Sequence, residues 1–340
     1  MSRPCAAVDV DVSVIIPTRN RLPLLKEAVA SVEKQDYPNW RLVLVDDASD
    51  DGTWRWIQSV VSDRLTGVRI DDHSERSVAR NLGVQRVTSP LTLLLDDDDR
   101  LMPDALGSLV STLRAYPDAV AVVGGLEYFD GHGNTKRPPQ FPQSGQRDMW
   151  RDAVWGWVAH TGRTLFRTDV VRLVGGFRPG LVVGEDRDLW LRVCRLGPVA
   201  FCPDVVLEHR LHPAQWRPVG VRDIEADITR RHIATLPADD RRDAERIARA
   251  AALFDRARED WGVGRGRSAA RSLVKLVVLH PYLVYSYIHP RVTFSKAIRF
   301  GAAAPFDARG AAAVRRLRRR IRSQEVWQPT FPQERDPSAD

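Results

Sequence analysis

Four consecutive aspartates, Asp96 to Asp99, form the densest group of potentially reactive side chains in this sequence. They lie in the segment LTLLLDDDDRLMPDAL (91–106), after a five-residue apolar run and before Pro103, a residue type common in the first turn of a helix. Carboxylates this close raise one another's pKa values unless a cation or hydrogen-bond donors intervene. A short acidic run is often only a solvated turn. Here its position between a strand-like run and a helix start favours a cation site.

A second acidic pair, Glu185 and Asp186, belongs to the segment GEDRDLWLR (184–192). The apolar residues that follow have helical spacing, which puts Asp186 in the first turn of a helix. The free N–H groups and the dipole at a helix start favour an ionised carboxylate, as a proton-accepting base requires. The alternative is that both carboxylates only cap the helix.

Strand-like and helix-like segments alternate through the first half of the chain. Near-continuous apolar runs predict strands at 12–18, 41–48, 68–72, 91–97 and 119–125, and helical spacing occurs between them. This alternation predicts an α/β fold with a mostly parallel sheet flanked by helices. Ligands bind beyond the carboxyl ends of such strands, so residues 17–19, Asp46, Asp47 and the aspartate run should share one edge. If the fourth strand persists to 97, period-two alternation puts Asp96 and Asp98 on the same side.

The remaining segments predict a loop and a helical end. Residues 131–147 are rich in Gly, Pro and Gln and predict a loop, whereas only helical patterns follow residue 220. Residues 269–288 are the most apolar helical stretch. Charged and proline residues interrupt them, so they are not expected to span a bilayer.

Composition narrows the possible classes of protein. The first strand ends in PTRN without a glycine-rich phosphate loop, which disfavours dinucleotide-binding and NTPase sites. Three cysteines without CxxC spacing and the lack of a visible secretory signal predict a reducing, cytoplasmic location without disulfides or zinc. Residues 265–322 contain 14 Lys and Arg but one acid, Asp307. Such a block is typical of contact with nucleic acid, anionic lipid or another acidic surface, or of a solvated basic helix.

Carboxylates at strand ends can accept the ring N–H of a nucleobase and can hold a hard divalent cation. That chemistry suits the loss of a nucleoside diphosphate from an activated sugar. The sequence resembles the family 2 glycosyltransferases with the GT-A fold, in the family's order and over roughly residues 10 to 215. The segments that carry the resemblance are VSVIIPTRNR (12–21), LVDDASDDGT (44–53), SVARNLGV (77–84), LLLDDDDRLMPDAL (93–106), VGGF (174–177), GEDRDLWLR (184–192) and HRLHP (209–213).

The resemblance implies roles for individual residues. Donor-binding residues would be Pro17, Thr18, Arg19, Asp47, Arg80, Asp96 and Asp97, with Asp47 accepting a hydrogen bond from the base. Asp98 would be the direct Mn²⁺ or Mg²⁺ ligand, with Asp96 and His212 as further metal contacts. Asp97 stands at the variable position of the family's metal motif and could share this duty. Asp186 would be the general base with Glu185 beside it, and Trp155 and Trp157 fall on the acceptor side. His209 departs from the family, which more often has tyrosine there.

The implied function is that of an inverting, metal-assisted glycosyltransferase of the hexosyltransferase type. It would move one sugar from a UDP or dTDP donor to a glycan, lipid-linked or secondary-metabolite hydroxyl, as in polysaccharide biosynthesis. The alternatives are a sugar-phosphate nucleotidyltransferase and a non-catalytic nucleotide-sugar-binding scaffold. No nucleic acid partner is expected, and the basic C-terminal block would dock peripherally on an anionic membrane surface. The expected domains are a GT-A domain at 10–218, with donor and acceptor halves at 10–125 and 126–218, a basic helical region at 219–325 and a polar tail at 326–340.

Overall fold

A computed structural model describes residues 11–130, 135–140, 144–181, 183–211 and 221–279. Ten strands and ten α-helices lie in these ranges. The strands are β1 (Val12–Thr18), β2 (Trp40–Asp47), β3 (Leu65–Ile70), β4 (Leu91–Leu94), β5 (Arg100–Leu101), β6 (Ala121–Phe129), β7 (Thr135–Gln140), β8 (Gly145–Arg147), β9 (Thr164–Arg167) and β10 (Val199–Arg210). The helices are α1 (Leu22–Glu33), α2 (Thr53–Val60), α3 (Arg76–Arg86), α4 (Ala105–Ala115), α5 (Trp150–Trp155), α6 (Thr168–Leu173), α7 (Glu185–Val193), α8 (Val221–Ala234), α9 (Ala238–Gly262) and α10 (Gly266–Leu279).

The chain divides into two compact units. The first runs to Ile228 apart from Val154–Gly156, and the second comprises that short segment and the residues from Thr229 onward. The first unit contains the whole sheet. In the described part of the second unit, α9 buries Ala244, Ile247 and Ala250 and forms ion pairs along its exposed side.

The ten strands form one sheet with the order β3-β2-β1-β4-β9-β6-β10-β5, to which β7 and β8 add at β6 and β10. The pairs β3–β2, β2–β1 and β1–β4 are parallel, so these four strands point their carboxyl ends to one edge. β9 is antiparallel to both β4 and β6, whereas β10 runs parallel to β6. The predicted α/β fold with helices flanking a central sheet is confirmed, but the sheet is mixed rather than mostly parallel.

The core forms because the central strands are apolar on both faces. Val12, Val14, Ile15 and Ile16 of β1 are all fully buried, as expected for a strand covered by helices on each side. Helix α3 approaches β1 closely at Gly83, where an added Cβ would lie 2.3 Å from the Ile15 side chain. This close packing sets the position of the polar residues on the preceding turn of α3.

Two local predictions differ from the structure. The strand predicted at 91–97 ends at Leu94, so the aspartates lie in the turn that follows it. The segment 131–147, predicted as a loop, contains β7 and β8, because both pair antiparallel with longer strands of the sheet. Such pairing comes from distant partners and leaves little local signal in a Gly- and Pro-rich sequence.

The helices predicted after residue 220 are present as α8, α9 and α10. None of the helices in the described ranges has the length and apolar content required to cross a membrane. The apolar stretch 269–288 and the basic block 265–322 both continue past Leu279, where the described residues end.

Candidate active site

The turn after β4 brings the aspartate run against residues from four other parts of the chain. Arg80, on the buried side of α3, donates from Nη2 to Asp96 Oδ1 at 2.8 Å. Its other terminal nitrogen donates to Glu185 Oε1 at 3.0 Å. Burial raises the pKa of Asp96, but the charges of Arg80 and His160 lower it by more, so Asp96 is held ionised below its usual range. One buried guanidinium thereby joins the two acidic segments that the sequence singles out.

Asp97 points away from Asp96, toward β1 and the start of α1. Its carboxylate accepts from Thr18 Oγ1 at 2.7 Å and from Arg21 Nη1 at 3.1 Å. Burial raises the pKa of Asp97 to about 6, although Arg21 and Thr18 oppose the shift. Asp98 also contacts Arg21, with its Oδ2 3.0 Å from Nη1. Neighbouring cations and hydroxyl donors thus relieve the repulsion expected within the run.

Asp99 is buried and acts as an acceptor for β10. Its Oδ1 accepts the backbone N–H of Arg210 at 3.0 Å, and its Oδ2 lies 3.1 Å from His209 Nδ1. Burial lowers the pKa of His209, but the hydrogen bond and charge of Asp99 outweigh it, so the net shift is upward. The predicted departure from the family at His209 therefore has a structural partner here.

The oxygens of Asp96, Asp98 and Asp99 lie within 4.8 Å of one another. A set of carboxylate oxygens is the ligand type that Mg²⁺ and Mn²⁺ prefer, so these residues fit the implied cofactor. Asp97 is outside this group because its carboxylate faces Thr18. The strand ends before these residues, so the predicted alternation does not apply to them, and Arg21 contacts both Asp97 and Asp98.

Asp99, His160 and His209 form a second group with ligand atoms within 4.8 Å. His160 lies immediately before a 3₁₀ turn (Thr161–Arg163), and its Nδ1 accepts the backbone N–H of Gly162 at 3.2 Å. The neutral ring therefore carries its proton on Nε2, which faces Asp96 at 3.5 Å and Asp99 at 3.6 Å. A protonated Nε2 donates to carboxylates and cannot ligate a metal, so His160 orients the acidic cluster.

Helix α7 presents Glu185 and Asp186 at its start. Gly184 precedes it with φ +79°, and an added Cβ there would lie 2.7 Å from Ile228, so the tight entry requires glycine. Glu185 is buried and accepts from Arg76 at 3.1 Å as well as from Arg80. Burial and the neighbouring Asp186 raise the pKa of Glu185, against the effect of the two arginines. Asp186 is more accessible than Glu185.

The end of β2 carries two aspartates with different environments. Both oxygens of Asp47 are occupied, by Ser74 at 2.8 Å and by His73 Nδ1 at 2.8 Å. Asp46 is fully buried and accepts from Arg69 at 3.1 Å through Oδ2. Its Oδ1 is buried without a hydrogen-bond partner in the described part of the chain. An unpaired buried acceptor is costly, so this atom is suited to receive a donor from a ligand.

The other predicted residues are placed as follows. Pro17 is partly buried and Arg19 exposed at the end of β1. Trp157 packs its ring 4.9 Å from that of Trp190 in the first unit, whereas Trp155 belongs to the second unit and lies 6.2 Å from Phe254. His212 lies outside the described residues.

Four residues to which the sequence motifs assign no role contact the predicted site residues: Arg21, Arg76, His160 and Asp99. Arg21 and Asp99 do lie inside the quoted motifs, which was the available signal. His160 precedes an ordinary strand pattern and carries no local signal, because its role depends on pairing between distant strands.

Comparisons with known proteins show the family to which the sequence is similar. Residues 13–174 match the family model described as glycosyl transferase family 2. The uncharacterized protein y4gI of Sinorhizobium fredii is 33% identical over 187 residues, which are 53% of this chain and 20% of that protein. The putative colanic acid biosynthesis glycosyl transferase WcaA of Escherichia coli is 26% identical over 197 residues, 54% of this chain and 65% of that protein. This chain spans only 20 to 38% of the length of several curated relatives.

Two solved structures share the fold. TarS (1–349) from S. aureus, in complex with UDP-GlcNAc, has a TM-score of 0.61 at 16% identity and covers 86% of this chain and 90% of its own. The mannosyltransferase PcManGT from Pyrobaculum calidifontis, in complex with GDP-Man and Mn²⁺, has a TM-score of 0.53 at 20% identity, with 92% and 88% covered. At these identities the likeness shows the fold alone.

Proposed function

Because this chain belongs to glycosyl transferase family 2 through residues 13–174, we propose that it transfers one sugar from a nucleoside diphosphate sugar to an acceptor hydroxyl. The observation that carries the proposal is the double contact of Arg80. Its guanidinium donates to Asp96 in the acidic cluster and to Glu185 at the start of α7. One side chain thereby joins the carboxylate cluster suited to holding a cation and the helix start that carries Asp186.

Asp96, Asp98 and Asp99 would hold the divalent cation, Mn²⁺ or Mg²⁺. When bound, such a cation supplies positive charge that stabilises a departing diphosphate. Asp98 is the candidate for the direct ligand, the role that the family's metal motif implies for it, and its contact with Arg21 would have to give way to the ion. Arg80 itself keeps Asp96 ionised and correctly oriented.

Asp186 would act as the general base. It is more accessible than Glu185, and the start of α7 favours its ionised form. By accepting the proton of the attacking hydroxyl it would permit a single displacement with inversion at the anomeric carbon. Glu185, buried between Arg76 and Arg80, would hold the helix start in place.

The donor would lie over the ends of β1 and β2, with Pro17, Thr18 and Arg19 on one side and Asp46 and Asp47 on the other. An aspartate accepts the N3–H of uracil or thymine equally, so UDP and dTDP sugars are the first candidates. TarS was solved with UDP-GlcNAc, which supports a UDP donor, whereas PcManGT was solved with GDP-Man. The comparison of nucleotides is therefore part of the test.

The acceptor would be a growing glycan or a lipid-linked sugar. The name of WcaA, a putative colanic acid biosynthesis glycosyl transferase, supports a role in making a surface polysaccharide. In the first unit, Trp157 is a candidate for stacking against an acceptor sugar, with packing against Trp190 as the alternative role.

The basic C-terminal region would dock the enzyme on an anionic membrane surface at the cytoplasmic side. In the described part of this region, α10 exposes Val274, Val278 and Leu279 beside the basic residues Arg271 and Lys275. Apolar insertion and charge attraction add for such a helix. Flotation with phosphatidylserine vesicles at low and high salt tests this. Equal binding to neutral vesicles would contradict it.

The test of the enzyme is release of nucleoside diphosphate from a panel of UDP, dTDP and GDP sugars, with and without acceptor, in Mn²⁺ and in EDTA. We expect release that requires both acceptor and metal, and its loss in Asp98→Asn. Asp104→Asn is the matched control, because Asp104 is exposed close to the cluster but is not part of it. Donor binding without turnover would indicate the scaffold alternative, and pyrophosphate as a product the nucleotidyltransferase alternative.

A further inference from the structure

Arg21 contacts both aspartates at the centre of the acidic run. Its Nη1 lies 3.1 Å from Asp97 Oδ1 and 3.0 Å from Asp98 Oδ2. Asp97 is in addition held by Thr18, whereas Asp98 belongs to the three-carboxylate cluster that fits a divalent cation. One guanidinium nitrogen therefore bridges a carboxylate with a structural role and one with a ligand role.

Arg21 is more exposed than the two carboxylates that it contacts. The Arg21 side chain is 43% exposed, whereas those of Asp97 and Asp98 are 8% and 16% exposed. Arg21 is the residue that precedes α1, and its side chain makes no capping hydrogen bond there. The guanidinium can therefore turn away from Asp98 without disturbing the helix, while the carboxylates remain in place.

The positive charge of Arg21 is maintained by its surroundings. Burial lowers the pKa of Arg21, but Asp97 and Asp98 raise it by more, so the net shift is upward. Asp96 is paired with the Arg80 guanidinium and Asp99 with the His209 ring, so the cluster already has a partner at each end. Arg21 adds a charge at Asp98 itself, where a metal ion would meet it at short range.

We propose that Arg21 is a built-in competitor for the metal site, which releases Asp98 when a divalent cation binds and stays bonded to Asp97. This inference rests on the proposed metal site at Asp96, Asp98 and Asp99. In the absence of nucleotide, Arg21 limits the affinity of the enzyme for a free divalent cation. The ion would then be retained mainly when a diphosphate supplies further oxygen ligands and negative charge.

The test measures Mn²⁺ affinity of the full chain without nucleotide, by the electron paramagnetic resonance signal of free Mn²⁺ at pH 7.5. We expect Arg21→Gln and Arg21→Met to bind Mn²⁺ about tenfold more tightly than the unmodified protein. The change should be modest because the charge of Arg21 lies at a partly exposed position. Its repulsion of the ion a few ångströms away therefore acts through an effective dielectric of about 20 or more. Arg21→Lys keeps the charge and should stay within about twofold.

Arg41→Gln is the control for net charge, because Arg41 is exposed at the amino end of β2 and donates to the Asp63 carbonyl at 3.2 Å. Its Mn²⁺ affinity should be unchanged. Unchanged or weaker Mn²⁺ affinity in both neutral Arg21 variants would overturn the role of Arg21, provided that the unmodified protein binds Mn²⁺ and the Asp98→Asn variant does not. If the unmodified protein shows no saturable Mn²⁺ site at all, it is the proposed metal site that fails.

Discussion

Arg80 Nη1 donates a 3.0 Å hydrogen bond to Glu185 Oε1, across 105 positions of the chain. Both side chains are buried, at 2% and 5% exposure. The same guanidinium bonds Asp96 at 2.8 Å and lies over the ring of Phe177, 5.1 Å from its centroid. Removing one member of such a group destabilises the folded protein, because it leaves a buried charge without compensation for its desolvation.

Replacing Arg80 should therefore damage stability and binding together. We expect Arg80→Met to lower the free energy of unfolding by about 3–5 kcal/mol, the usual cost of removing one partner from a buried ion pair. Donor affinity should also fall, because Asp96 loses its orienting partner. Thermal melting and nucleotide titration measure the two effects. Arg86→Met, on the exposed last turn of α3, is the matched control and should melt like the unmodified protein.

Substitutions at Asp186 and Glu185 should have different effects, one on turnover and the other on stability. Asp186→Asn keeps a polar side chain of the same size in the first turn of α7, where Gly184 is the N-cap, but asparagine is not a useful base. We therefore expect near-normal melting and donor binding with turnover reduced by about 10²-fold or more. Glu185→Gln should instead lower the melting temperature, because Arg76 and Arg80 lose their charged acceptor. Retained turnover in Asp186→Asn together with its loss in a folded Glu185→Gln would move the base by one residue.

The residue that accepts the nucleobase N–H can be identified by comparing neighbours on β2. The sequence predicts Asp47, but both of its oxygens are occupied by His73 and Ser74, whereas Asp46 Oδ1 is buried without a partner in the described ranges. We expect Asp46→Asn to weaken UDP binding by about tenfold and Asp47→Asn by less, because a charged acceptor contributes about 1.5 kcal/mol or more to a hydrogen bond. Calorimetric titration with UDP measures both. The reverse order would support the prediction from the sequence.

Asp152, on α5, predicts a pH dependence of stability that is independent of the acidic cluster. Burial raises the pKa of Asp152 to about 6, with a smaller contribution from Asp148. Since the folded pKa lies above the unfolded value, the fold favours the protonated acid, and this contribution is lost as pH rises from about 4 to about 6. Ionised Asp152 therefore destabilises the protein at pH 8.

Asp152→Asn imitates the protonated form at every pH. We expect it to raise the free energy of unfolding at pH 8 by about 1–2 kcal/mol, less than the roughly 3 kcal/mol of a two-unit shift because the group keeps some solvent contact. At pH 4 the two proteins should be equally stable. Asp118→Asn, at an exposed position outside α5, is the control. A stabilisation by Asp152→Asn that does not change between pH 4 and pH 8 would rule out this explanation.

Much of the fold was readable from local pattern. The runs 12–18 and 41–48 correspond closely to β1 and β2, since apolar residues on both faces are possible only in a strand covered by helices on each side. The strands β7 and β8 are not predicted from the sequence, because they form by pairing with β6 and β10 and their own composition does not favour a strand. Local preference decides elements that can form alone, and tertiary pairing decides the others.

The sequence by itself determined which residues could do chemistry and which elements carry them. An apolar run had to give way to the aspartates, and a helix had to begin near Asp186, because hydrophobic periodicity changes at those points. The predicted strand reached residue 97, whereas the observed one ends at Leu94. Only the tertiary structure decided how the carboxylates are divided: Asp97 is paired with Thr18, 79 positions away, and Asp99 with His209, 110 positions away. The strand order places β1 beside β4 and β10 beside β5, so these partners meet at one edge of the sheet. Contacts between side chains so distant along the chain depend on the packing of the whole sheet, which no local pattern of residues encodes.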